Sequence, residues 1–355
     1  MIRFAVGWSP RALLLPAVAW LLTLPPIVGC ERLPTAPATS TNPVRGVTLV
    51  DWTRDGYGTA TSDSSIAALA ATGANTLVLV VTAYQANASA DSLRADDPRT
   101  PSASAVRHAL GVALGLGLSI VIKPHVDLDD GTWRGRISPP HPVEWFQSYE
   151  RFVLPLAALA ESLRASQFVV GTELAGTLGS RELWRETIAK VRTVFSGEVI
   201  YAASWDEAGR VPFWRDVDRI GVDFYFPVAS RPDPSRVDAL AGWQPWLARL
   251  EILHEQVARP ILLTEIGYRS VAGAGMHPYD ASGGRLDLGE QADLYWAALE
   301  ACGSHQWLEG MYWWNWPANG QGGPSNTDYT PRDKPAAVEL QTSWKGTSVA
   351  ALRSH

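Results

Sequence analysis

No long basic run occurs in the 355 residues, and the net charge is −6. A nucleic-acid partner would demand a positive stripe, so that class of function is disfavoured. Cysteine is almost missing, with only Cys30 and Cys302 present. No Gly-x-Gly-x-x-Gly turn follows the first strand-like run, which leads into Asp51-Trp52-Thr53-Arg54-Asp55-Gly56. A doubly wound dinucleotide-binding sheet would usually carry one there. No linker-like stretch breaks the chain after Pro43, and α/β barrels often reach this length as one domain.

The first 30 residues read as a targeting segment. Arg3 and Arg11 precede an apolar run, Ala12 to Leu24, that is too short and proline-interrupted for a comfortable membrane-spanning helix. Small residues before Cys30 in "IVGC" resemble a bacterial lipobox, in which Cys30 becomes the lipidated first residue. An ordinary cleaved signal peptide with a chance cysteine is the alternative. Residues 31–44 have the Pro/Thr/Ser/Ala composition of a flexible tether. The expectation is an exported lipoprotein held at a membrane by its anchor, with a catalytic domain over 45–345 and a tail over 346–355. If Cys30 carries lipid, Cys302 has no disulfide partner and reads as a small buried hydrophobe.

What the chain does have is a repeated alternation. Short, nearly continuous apolar runs fall at 45–52, 75–84, 118–128, 167–174, 198–205, 219–228, 260–268 and 310–317. Such runs suit strands covered on both faces, as in a parallel sheet. Amphipathic segments lie between them. The clearest is 180–195, where Leu183, Thr187, Ile188, Val191, Val194 and Phe195 share a face and Ser180 is a candidate N-cap. The connection over 206–218 leaves room only for a short helix, and a last helix is expected from Pro335. Eight strand–helix units in series predict a (β/α)8 TIM barrel.

Two of the apolar runs end in a carboxylate: Glu173 closes "QFVVGTE" and Glu265 follows "PILLT". Barrel active sites sit at the C-terminal ends of the strands, so the tips of the fourth and seventh strands would bring these two groups to face each other across the mouth. Two carboxyl groups flanking a sugar bond, one protonated and one ionised, are what glycoside hydrolysis requires. Pairing of each glutamate with a basic residue at the rim is the purely structural alternative.

Six segments, "KPHVDLDDGTWRG" (123–135), "GTEL" (171–174), "DFYFP" (223–227), "LTEIGYRS" (263–270), "YWWNW" (312–316) and "DYTPRDKPA" (328–336), together resemble glycoside hydrolase family 113 of the retaining clan A. Its known members mainly degrade β-mannan. The resemblance implies Glu173 as acid/base, Glu265 as nucleophile, no cofactor, and β-1,4-mannan or manno-oligosaccharide as substrate; a monomer is expected. Another β-glycan (glucan, xylan or galactan), or a non-catalytic surface carbohydrate-binding lipoprotein, are the rival readings. The chain departs from many clan A families in having Thr172 rather than Asn before the acid/base, which leaves open how the sugar 2-hydroxyl is read.

Strand alternation nominates further mouth residues. Lys123, His125 and Asp127 share a face and are candidates for sugar hydrogen bonds, with a metal at His125, Asp127, Asp129 and Asp130 as a less favoured alternative. Asp223 and Tyr225 share a face and are further candidates for substrate binding, and Tyr225 is expected to donate to Glu265. Trp205 ends the fifth strand. Trp314 and Trp316 share a face of the eighth strand, and the resemblance favours Trp314 as the sugar platform, with Trp313 pointing outward. Trp52 is a weaker candidate. The long Gly-rich segment after the seventh strand is expected to form one wall of the cleft. Sixteen tryptophans against eight phenylalanines suit either core packing or sugar stacking.

Overall fold

The computed structural model describes residues 43–345. The leader, Cys30, nearly all of the tether and the tail lie outside the described residues. The chain alternates strand and helix as β1 (Val44–Val50), α1 (Ala60–Ala70), β2 (Thr76–Gln85), α2 (Ala103–Gly115), β3 (Ser119–Leu128), α3 (Pro142–Ser162), β4 (Gln167–Thr172) and α4 (Arg181–Val194). It continues with β5 (Glu198–Ser204), β6 (Arg219–Phe224), α5 (Arg236–Val257), β7 (Ile261–Ile266), α6 (Leu288–Cys302), β8 (Leu308–Pro317) and α7 (Pro335–Lys345). All neighbouring strands pair in parallel, and β8 closes on β1. This is a (β/α)8 barrel. Between β5 and β6 only short 3-10 turns fit, at Ala208–Arg210 and Trp214–Asp216.

The alternation of side chains sorts the core into two layers. Val78, Val121, Val169, Ile200, Ala202, Leu262 and Tyr312 fill the barrel interior. Ile120, Ile122, Phe168, Val170, Val199, Tyr201, Val222 and Leu263 face the helices. Side-chain caps fix several helix starts: Thr59 for α1, Ser102 for α2, a reciprocal Ser235–Asp238 box for α5 and Asp287 for α6. Ser180 is the N-cap residue of α4, as expected, although its side chain makes no cap bond. The buried face of α4 also includes Trp184, which packs edge-on against Phe146 and Tyr201 and stacks on Phe213.

The seam between β1 and β8 is not regular. Val47 pairs with Trp313 but Leu49 pairs with Trp316, so β8 carries one extra residue there. The Trp314–Asn315 peptide within this stretch is cis. Beyond the slip the alternation reverses.

Candidate active site

The site is built upward from the inward face of β3. Val121 belongs to the barrel interior, and Lys123 and His125 follow it on the same face. Lys123 lies mid-strand, opposite Val80 of β2, and is fully buried. A buried ammonium needs acceptors for each of its protons. It finds them in Glu265 Oε1 at 2.6 Å, the Thr264 carbonyl at 2.8 Å and Asp223 Oδ1 at 3.0 Å. The expectation that Lys123 and Asp223 meet sugar hydroxyls is therefore corrected. Both have no exposed surface and lie beneath the mouth, where they hold other groups.

Glu265 is opposite Asp223 across the β6–β7 pairing. Besides Lys123 it receives the Tyr225 hydroxyl on Oε2 at 2.9 Å, and His125 Nε2 stands 3.4 Å from Oε1. Burial by itself would raise the Glu265 carboxyl. The charge and hydrogen bond of Lys123, with the His125 ring beside the carboxylate, outweigh it and hold the group well below the usual carboxylate range. Asp223 moves the other way: burial, with the negative charge of Glu265, raises it well above its ordinary value against the pull of Lys123. One buried cation thus balances one buried anion, and the anion is Glu265. Burial, and then the neighbouring Arg134 charge, lowers His125 to about 4, so at neutral pH it is an uncharged ring. Tyr225 is raised well above 10 by burial and by Glu265 and stays a neutral donor.

Glu173 sits one residue past the end of β4. Its backbone is left-handed, φ 53°, which is uncommon for a residue with a Cβ and persists where the surroundings hold it. Its N–H still bonds the Ala202 carbonyl of β5 at 2.8 Å, so the turn is anchored. The loop after β3 reaches over to it. Trp133 Nε1 donates to Glu173 Oε2 at 3.1 Å, and Arg134 comes within 3.7 Å of the same oxygen. Burial and the Glu265 charge raise the Glu173 carboxyl above its ordinary value, more than Arg134 and Trp133 lower it. Two glutamates of one mouth are thereby pushed in opposite directions, one toward the acid and one toward the anion.

The remaining candidates divide. Trp314, half-buried, stacks on His125 with ring centroids 5.7 Å apart and an 11° interplanar angle, which puts it beside Glu265. Trp313 stacks on Tyr295 of α6 at 3.9 Å in the helix layer. Trp316 does not share the face of Trp314. Its indole N–H bonds Ser65 of α1 and its ring is buried outside the barrel, because the slip in β8 falls between the two residues. Thr172 is also turned from the mouth: it is buried, and its hydroxyl donates to the Pro124 carbonyl at 3.0 Å, tying β4 to β3. Asp127 accepts from Arg134 at 2.6 Å and keeps part of its surface open. A metal at the end of β3 is not supported by the arrangement. His125 faces Glu265, Asp127 is taken by Arg134, and Asp129 by Arg94 and Arg99. Trp205 is half-buried and lies against Tyr279 at 6.1 Å, so the segment after β7 does stand beside a candidate aromatic residue. Trp52 is 45% exposed.

Sequence reasoning passed over Trp133, Arg134 and Glu207. The first two belong to a motif that was noticed, but a loop has no periodicity to show where they aim. Glu207, two residues past Trp205, is fully buried and accepts from the Tyr201 hydroxyl at 3.1 Å.

Comparison with known proteins agrees with this geometry. The profile of Glycoside Hydrolase Family 113 matches residues 49–334. A solved GH113 β-1,4-mannanase complex is 25% identical, with a TM-score of 0.80 over 86% of this chain and 100% of that one. A GH113 β-mannanase from Alicyclobacillus acidocaldarius, in complex with ManMIm, is 27% identical, with a TM-score of 0.80 over 87% and 99% of the two chains. A β-glucuronidase from Faecalibacterium prausnitzii shares the fold alone, at 12% identity and a TM-score of 0.58 over 86% of this chain and 49% of that one. No curated protein sequence matches the chain. With a family match over most of its length, the chain belongs to glycoside hydrolase family 113 and is a glycoside hydrolase acting on a carbohydrate.

Proposed function

We propose that this enzyme cleaves β-1,4-mannosidic linkages in mannan or manno-oligosaccharides with retention of configuration, using Glu265 as nucleophile and Glu173 as acid/base. The observation that carries the reading is the opposed surroundings of the two carboxyl groups: Glu265 accepts from the buried Lys123 ammonium and the Tyr225 hydroxyl, which favours its anion, while Glu173 accepts, among the described residues, only from the neutral Trp133 indole, and burial with the Glu265 charge favours its acid form. In the first step a Glu265 oxygen bonds the anomeric carbon as the glycosidic C–O bond breaks, and the Glu173 proton goes to the departing oxygen. Formation of the ester removes the Glu265 charge, and with it one of the two causes raising Glu173. Glu173 then takes a proton from water as that water displaces Glu265. Trp314, backed by His125, offers a flat face for the C–H surface of a sugar ring. Trp133, 42% exposed and bonded to Glu173, offers a second beside the acid.

The solved relatives at 25% and 27% identity are described as β-mannanases, which supports mannan over the epimeric glycans. Reducing-sugar release from a panel of mannan, cellulose, xylan and galactan tests it. Mannan should be the preferred substrate, and preference for another backbone would displace the assignment. We also infer from the leader and Cys30 that the enzyme is an exported, lipid-anchored protein. Replacement Cys30→Ser should move it from the membrane fraction to the soluble one, and an unchanged distribution would oppose the anchor.

A further inference from the structure

The left-handed turn at Glu173 is held from below by a relay that ends in a second buried carboxyl group. The N–H of Leu174, the residue after Glu173, donates to the Tyr201 hydroxyl at 3.1 Å. That hydroxyl donates to Glu207 Oε1, also at 3.1 Å. Tyr201 has no freedom to move away. Its ring is edge-packed by Trp184, Phe213 and Trp214, and it lies so close to β4 that a Cβ on Gly171 would stand 3.0 Å from its Cε2. Glu207 is equally fixed, its N–H on the Ser204 carbonyl and its own carbonyl accepting from Arg210.

The state of Glu207 follows from its surroundings. It has no exposed surface, and its Oε2 is buried with no hydrogen-bonding partner among the described residues. The groups acting on it are Glu173 from the tip of β4, Tyr201 from β5, and the Ser204 backbone and Asp206 from its own turn. The two charged ones are both acidic, so an anion there would be buried without a counter-charge, which is expensive. Burial first, and Glu173 second, raise Glu207 to about 8.

We propose that Glu207 is a positioning residue for the acid/base: as a neutral carboxylic acid it fixes Tyr201, and through Tyr201 the Leu174 N–H, so that the strained turn presents Glu173 to the leaving oxygen. Neutrality is part of the role. An anion in this place would repel the Glu173 carboxylate that the first step leaves behind and the second step uses as base. The inference rests on Glu173 being the acid/base.

The test separates acid-dependent from acid-independent chemistry in Glu207→Leu, Tyr201→Phe, Glu207→Gln and, as reference, Glu173→Ala. Each is assayed on a manno-oligosaccharide, whose leaving group needs a proton, and for the first burst of dinitrophenolate from an aryl β-mannoside, whose leaving group needs none. Because a displacement of the acid by a fraction of an ångström costs much of its contribution, Glu207→Leu and Tyr201→Phe should lower kcat on the oligosaccharide by roughly 10-fold or more, with KM within about twofold. The burst rate should stay within about threefold, and Glu207→Gln, neutral and still an acceptor for Tyr201, should recover most of the loss. Three results overturn the proposal: a Gln variant as poor as the Leu variant, a burst that falls in step with kcat, or no effect from either Glu207→Leu or Tyr201→Phe. If Glu173→Ala separates the two substrates while Glu207→Leu does not, only the role of Glu207 falls. If Glu173→Ala fails to separate them, the acid/base assignment falls with it.

Discussion

Replacing Lys123 by methionine keeps much of its buried length but removes the charge 2.6 Å from Glu265. The sign of the consequence is fixed. Lys123 lowers Glu265, so without it Glu265 takes up its proton at higher pH, and the acidic limb of kcat/KM moves upward. In the native enzyme that limb should fall below the ordinary glutamate value of about 4.3, and the alkaline limb, where Glu173 loses its proton, above it. An acidic limb unmoved in Lys123→Met would mean that the lysine does not set the nucleophile's charge. Leaving a buried carboxylate unpaired should also cost about 3 kcal/mol of stability, measurable by denaturant unfolding. The two glutamates should respond differently to removal. Glu265→Ala should abolish turnover of every substrate. Glu173→Ala should lose about 10²–10⁴-fold on mannan, yet with an activated aryl mannoside azide should restore turnover and yield the β-mannosyl azide. No response to azide would take the acid/base role from Glu173.

At the scale of single elements, the barrel strands were legible because each is an apolar run bounded by polar residues, and their tips named Glu173 and Glu265. Tyr225 was legible too, since plain alternation on β6 turns it toward Glu265, to which it donates. Strand alternation failed where pairing slips: nothing in "YWWNWP" announces that β8 takes an extra residue between Trp313 and Trp316. Depth was the other hidden quantity. Lys123 and Asp127 share a face of β3, but only the latter lies near the rim; a ten-residue strand spans well over the thickness of the site. These differences predict separable effects. Trp314→Ala should raise KM for oligosaccharides with little change in the unfolding midpoint. Trp316→Ala, which empties a buried site against α1, should cost about 3–5 kcal/mol while leaving KM nearly unchanged. Gly310→Ala should loosen barrel closure, because φ there is 143° and a Cβ would stand 2.1 Å from the Val44 carbonyl oxygen of β1. A cost of at least about 1–3 kcal/mol is expected, read from the melting midpoint.

For the whole molecule, the barrel converts sequence order into opposition across a mouth. Strands four and seven are far apart in the chain, yet their C-terminal ends deliver carboxyl groups whose charges are set by residues from β3, β6 and the loop after β3. Division of the site between elements explains why the chemistry could be read from two strand tips while its tuning could not. Lys123, Arg134 and Glu207 acquire their roles only when distant segments meet. The central claim is a double displacement on a β-mannoside, and the anomeric configuration of the first-formed product tests it most directly. Proton NMR of manno-oligosaccharide hydrolysis, followed from the first minutes before mutarotation, should show the β-anomer of the new reducing end appearing first and the α-anomer growing in later. Initial appearance of the α-anomer would mean a single inverting displacement and would contradict the assignment of Glu265 as nucleophile.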